Sequence, residues 1–114
     1  MNLSGHGGDT ICAISTALGE GAIGIIRVSG LATIRVIKQL FFPKHRQPIE
    51  QLKNYVMYFG RIENPELNIL VDEVMVMIMR APHTYTCEDM AEIHCHGSLL
   101  VLRNVLELLV QQGV

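Results

Sequence analysis

Apolar positions along this chain of 114 residues recur with two different periods, and the switches between them lay out its elements. Thr10–Thr16 (TICAIST) and Ile23–Ser29 (IGIIRVS) are short and rich in β-branched types, which predicts two strands. From Leu31 to Phe42 the apolar residues fall at 31, 34, 37, 40 and 41, with Arg35, Lys38 and Gln39 between them. That spacing predicts a helix, ended by Pro43. Residues 43–54 hold two prolines and mixed charge and read as a surface connection. Tyr55–Ile62 reads as a strand and Glu63–Glu66 as a turn.

Ile69–Met79 (ILVDEVMVMIM) is nearly all apolar, which predicts a central strand covered on both faces. Its alternation puts Val74, Val76 and Ile78 on one face and Met75, Met77 and Met79 on the other. The methionine row suits either a core or an adaptable surface for a ligand or a second subunit. Residues 80–87 read as a loop and Glu88–His96 as a strand. In Ser98–Gln112 the polar residues Arg103, Asn104, Glu107 and Gln111 form one narrow stripe. Leu99, Leu102, Val105, Leu106, Leu109 and Val110 fill the rest, so the helix is predicted to be largely buried. Ser98 is its expected N-cap and Gly113 its expected stop. The element order implies an α+β fold, a mixed or antiparallel sheet with helices packed on it. Residues 1–8 read as a loose leader to a single domain, 9–114.

Residues 18–30, LGEGAIGIIRVSG, place Gly19, Gly21 and Gly24 in the spacing G-x-G-x-x-G of a dinucleotide-binding turn. That fingerprint requires a helix next and an acid about 20 residues on to hold a ribose. Here a predicted strand follows, and residues 21–49 contain neither Asp nor Glu. A glycine-rich turn between two strands is the better reading.

Composition narrows the function classes. Hydrophobic residues make up 49%, enough for a folded core in one domain. A net charge of −2 argues against a domain built mainly to grip nucleic acid. The charge is uneven, however: residues 21–49 carry Arg27, Arg35, Lys38, Lys44 and Arg46 without an acid, and Lys53 follows. This is either a solvated helix face and loop or an anion site with Lys38, Lys44, Arg46 and Lys53 among its contacts. Cys12, Cys87 and Cys95 form no C-x-x-C and no framework spacing, which suits a reduced intracellular protein. Without a signal-peptide pattern or an apolar run of membrane length, the expectation is a soluble, cytoplasmic chain. No Gly-Lys dipeptide occurs, so these residues hold no P-loop and are not expected to catalyse phosphoryl transfer alone.

The densest polar cluster is HTYTCEDMAEIHCHGS, residues 83–98. On a strand, Glu92, His94 and His96 share a face. They suit a 2-His-1-carboxylate metal set, or simply hydrogen-bonded surface histidines. A half-buried Glu92 could instead accept two parallel N–H bonds from a planar heterocycle such as a pterin or guanine. Arg27, flanked by Ile25, Ile26 and Val28, is a complement whose fork could hold an anion or stack on a ring. Cys87 and Cys95 lie near histidines, but no pattern marks either as a nucleophile.

Three stretches together, DTICAISTALGEGAIGIIRVSG (9–30), VDEVMVMIMRAPHTYTCEDMAEIHCHG (71–97) and the helix after them, resemble the N-terminal domain of the tRNA-modification GTPases of the MnmE (TrmE) family. The motifs are GxGxIGIIRxSG and, at the right distance, APHxYTxEDxxEIHCHG. The family pattern has Gly where this chain has Cys87 and again where it has Ser98. The resemblance implies a fold similar to the tetrahydrofolate-binding part of the glycine-cleavage T protein. It also implies homodimerisation and binding of a reduced folate, 5-formyltetrahydrofolate or a relative, as one-carbon donor for the wobble uridine of certain tRNAs. Arg27 and Glu92 match positions associated with the folate. The full-length family protein adds a helical domain and a G domain binding GTP, Mg²⁺ and K⁺, and works with the flavoprotein MnmG. Two alternatives stand beside this reading: a structural dimerisation module without ligand, and a small metal-binding domain built on Glu92, His94 and His96.

Overall fold

A computed structural model describes residues 9–15 and 23–114; the expected leader and glycine turn lie outside the described residues. Strands β1 (Ile11–Ile14) and β2 (Ile23–Ser29) are followed by helix α1 (Thr33–Leu40) and a short strand β3 (Phe41–Pro43). After a single 3-10 turn at Ile49–Gln51 come β4 (Met57–Asn64), β5 (Ile69–Met79), β6 (Met90–His96) and helix α2 (Leu99–Gln111). The six strands form one sheet in the order β1-β2-β6-β5-β4-β3, every neighbouring pair antiparallel. The mixed alternative is thereby removed. Strand β2 pairs with β6 over Ile23↔His96 to Ser29↔Met90, so two motifs far apart in sequence become neighbours.

Both helices lie on one face of the sheet. Ile26 and Val28 of β2, Val76 and Ile78 of β5, and Ala91 and Ile93 of β6 bury completely. They pack under Val36, Ile37 and Leu40 of α1 and Leu102, Val105 and Leu109 of α2. Burying one such side chain stabilises the fold by roughly 1.5–3 kcal/mol, so this one layer supplies most of the driving force.

The opposite face is open, and here the expectation for β5 is corrected. Val74, Val76 and Ile78 are buried as predicted, but Met75 and Met77 are only half-buried, and Met57 and Phe59 of β4 beside them are exposed. A run of apolar residues does not by itself tell a two-sided strand from a strand with one apolar face left open. Helix α2 shows the same excess: Leu99 and Val110, expected inside, are 58% and 59% exposed because the sheet covers only part of the helix circumference.

The helix predicted to reach Phe42 stops at Leu40. Pro43 pushes the residue before it into extended backbone, and Phe41 is already extended at φ −105°, ψ 129°. Phe41 buries its ring and pairs with Ile62, making β3 an edge strand; Pro43, which lacks an N–H, is tolerated at an edge. Arg80, at the end of β5, anchors the connection before β4. Its guanidinium donates to the carbonyls of Leu52 (2.7 Å), Ile49 (3.3 Å) and Glu50 (3.3 Å) and to Asn54 Oδ1 (2.8 Å). The ends of α2 follow the sequence: Ser98 Oγ accepts from Val101 N–H, and Gly113 at φ 99° lets Val114 N–H reach the Leu109 carbonyl.

Gly24 disposes of the dinucleotide fingerprint. It lies inside β2, not at a helix entrance, and a Cβ there would meet the Leu102 methyls at 2.7 Å. The glycine lets α2 approach the sheet closely. Gly19 and Gly21 lie outside the described residues.

Candidate functional site

Antiparallel register lines up side chains from five strands across the open face. One row runs Ala13, Arg27, Glu92, Met77, Met57, and the next runs Ile25, His94, Met75, Phe59. Arg27 and Glu92, 65 residues apart in sequence, are direct cross-strand partners on β2 and β6. Arg27 donates to Glu92 Oε2 through both Nε (3.1 Å) and Nη2 (2.5 Å). His94 Nε2 lies 3.0 Å from the other oxygen, Oε1. The Glu92 side chain is 13% exposed and that of Arg27 43%, so the acid sits low on the sheet and the base leans over it.

Burial by itself pushes the Glu92 carboxyl up. The bonds from His94 and Arg27, with the guanidinium charge, outweigh it and hold the group below the usual carboxylate range. Glu92 is therefore an anion at neutral pH. An ionised carboxylate has about four acceptor positions. Two on Oε2 are taken by Arg27 and one on Oε1 by His94, so accepting two parallel N–H bonds from a ring requires Arg27 to release Oε2. Arg27 is nearly half exposed, so its release costs one surface ion pair.

The geometry separates the third member of the predicted metal set. His96 shares the strand face with Glu92 and His94, but its Nδ1 is 2.6 Å from Asp72 Oδ1, and its backbone N–H donates to Asp72 Oδ2 at 2.9 Å. Among the described residues no group of three or more His, Cys, Asp or Glu is placed to hold a metal ion. The cysteines are unpaired: Cys87 is exposed, while Cys95 is buried, and that burial together with the Asp72 charge pushes its thiol up to about 12.

Above the end of β2, the 80–89 loop closes on the sheet. The Ser29 and Thr86 hydroxyls are 2.8 Å apart, Asp89 Oδ1 accepts from Ala81 N–H (2.8 Å), and Thr33 Oγ1 donates to the Asp89 carbonyl (3.1 Å). Tyr55 OH donates to the His83 carbonyl. Within this tethered loop Cys87 adopts φ 62°, a left-handed conformation that costs little only for glycine.

Sequence reasoning missed two contributors. Met57 and Phe59 extend the apolar floor beside His94; their signal was the period-2 alternation of β4, where Tyr58, Gly60 and Ile62 point inward. The second is a groove of about 830 Å³ at the β3–β4 edge, whose lining includes neither Arg27 nor Glu92. The candidate site is thus an open sheet face, and this groove lies elsewhere.

The family described as GTP-binding protein TrmE N-terminus matches residues 10–114. This chain belongs to the TrmE N-terminal family. It is similar to proteins named tRNA modification GTPase MnmE. That of Carboxydothermus hydrogenoformans is 46% identical over 106 residues, covering 93% of this chain and 23% of the relative. Those of Desulforamulus reducens (48% over 105 residues, 92% and 23%) and Desulfotalea psychrophila (47% over 113 residues, 99% and 24%) cover similar shares. The chain therefore spans under a quarter of the length of these curated relatives. The TrmE N-terminal match runs continuously through both strands that carry Arg27 and Glu92.

Proposed function

We propose that this chain is the folate-binding and dimerising part of a larger tRNA-modifying GTPase. A reduced folate such as 5-formyltetrahydrofolate is bound on the open sheet face at Glu92 and Arg27. The observation that carries the reading is an ionised, half-buried Glu92 held between a half-exposed Arg27 and His94, with Met75 and Met77 as an apolar floor alongside. An anionic acceptor pair beside apolar wall suits the N–H edge of a pterin, and a guanidinium released from Oε2 suits the ligand's carboxylate or ring face. Because the site lies on a face and not in a cavity, further chain or a second copy is needed to close over the ligand. The half-buried Met75 and Met77, with exposed Met57 beside them, are the natural surface for that second copy.

The same reading assigns the GTP, Mg²⁺ and K⁺ sites, the MnmG and tRNA contacts and the hydrolysis itself to the full-length protein, and locates it in the cytoplasm. It also carries the expected likeness to the tetrahydrofolate-binding part of the glycine-cleavage T protein. Among the described residues no helix is long and apolar enough to cross a membrane.

The test is a calorimetric titration with 5-formyltetrahydrofolate, with Glu92→Ala and Arg27→Ala alongside. Saturable binding that is lost in both variants, with their unfolding curves near wild type, is the expected result. Binding unchanged in both variants refutes the site. No binding by the wild type, with a concentration-dependent dimer in ultracentrifugation, favours the second reading: a dimerisation module whose apolar face serves assembly alone.

A further inference from the structure

The groove at the β3–β4 edge has a chemistry of its own. Its volume, about 830 Å³, lies in the range of ligand sites. Two rings on its wall are open to solvent, Phe42 at 39% and Phe59 at 42% exposed, at an edge where apolar exposure is a liability unless it is used. Lys38, Lys44, Arg46 and Arg61 surround them.

The groove holds two acids against four cations. Glu50 bonds Lys38 at 2.7 Å, while Glu73 lies in register with Arg61, whose guanidinium bonds Glu63 at 3.2 Å, so the groove keeps more cation than acid. Lys44 and Arg46 enter no ion pair among the described residues, and they belong to the acid-free stretch 21–49. They are also positioned. Lys44 N–H donates to the Phe59 carbonyl (2.9 Å), which seats its ammonium 5.9 Å from the Phe59 ring centre. Arg46, at φ 52°, turns the chain back with its N–H on the Pro43 carbonyl.

We infer that this groove binds an unstacked stretch of RNA, a base lying on Phe59 or Phe42 and the flanking phosphates on Lys44 and Arg46. Stacking on an exposed ring combined with a cationic rim is how single strands are held; duplex RNA keeps its bases inside and engages only the charge. The inference rests on the tRNA reading above and assigns the substrate to an edge of the sheet separate from Arg27 and Glu92. Phe59, cross-strand partner of Met75, which in turn partners His94, stands two strand spacings from His94, roughly 10 Å. The two sites would share one sheet.

The experiment is fluorescence anisotropy of a labelled RNA hairpin with a uridine-containing loop, against a continuous duplex of the same length, over a salt series. Wild type is expected to prefer the hairpin, with a salt slope of roughly −1.4 for two phosphate contacts. Phe59→Leu should weaken the hairpin about tenfold while Phe59→Tyr restores it, and Lys44→Ala or Arg46→Ala should each flatten the slope by about 0.7. Circular dichroism of each variant checks folding. Hairpin binding that ignores all these variants overturns the groove and leaves the tRNA reading standing. Equal binding of duplex, or none of the hairpin at low salt, overturns the groove also. The folate titration then judges the functional reading separately.

Discussion

Cys87 tests what a left-handed backbone angle costs a residue with a Cβ. It occupies φ 62° in the 80–89 loop, a backbone angle that suits glycine. The loop cannot relax this angle cheaply. Cys87 N–H bonds the Thr84 carbonyl (3.3 Å), Thr84 Oγ1 bonds the Glu88 carbonyl (2.6 Å), and the Thr86 hydroxyl meets Ser29 (2.8 Å). A residue with a Cβ in the left-handed region carries about 1–2 kcal/mol of strain. Replacing it with glycine removes that strain but loosens the unfolded chain by about 0.4–1 kcal/mol. The net expectation for Cys87→Gly is a gain of about 0.5–1 kcal/mol, or a Tm rise of roughly 2–6 °C for a domain of this size. Cys87→Ala is the control, since it loses the exposed thiol and keeps the strain; it should stay within about 0.5 kcal/mol of wild type. Thermal and urea unfolding at one fixed chain concentration measure all three. A glycine variant no more stable than the alanine variant refutes the strain argument.

Further expectations follow from the same structure. The Glu92 carboxyl is held below its ordinary range, so its contribution is fully present above the unfolded value of about 4.3 and is lost as pH falls through the lowered folded value. A double-mutant cycle of Arg27→Gln and Glu92→Gln should give a coupling of about 0.5–1 kcal/mol at pH 7 that vanishes in that acid window; equal coupling at both pH values contradicts it. Native alkylation at pH 8 followed by mass spectrometry should label Cys87 and spare Cys95, whose thiol is pushed up to about 12, until denaturant is added. Arg80→Met removes four bonds to the 49–54 connection and should destabilise by about 1–3 kcal/mol in urea, whereas an unchanged midpoint would make the clamp incidental.

How much was legible in advance can be argued element by element. Strands β2, β5 and β6 and helix α2 were readable because their side chains meet neighbours in a repeating way, and Ser98 and Gly113 marked the helix ends. Helix α1 was overrun by two residues because the apolar pair at 41 and 42 continues the helical period. Their fate was set by Pro43 and by a strand nearly twenty residues downstream. Arg27 and Glu92 were singled out separately, from residue type and family pattern. Nothing local stated that each would be the other's partner.

The sequence alone determined the alternation of elements, the chemistry available, and membership of a family whose motifs survive in order. Those depend on near neighbours and on residue types, which a linear reading retains. The tertiary structure alone decided that β2 lies against β6, that Glu92 is already engaged by Arg27 and His94, that His96 turns to Asp72, and that one face of the sheet stays open. Each of those depends on which distant strands pair and in what register. A register shift of one residue would have sent Arg27 and Glu92 into the core.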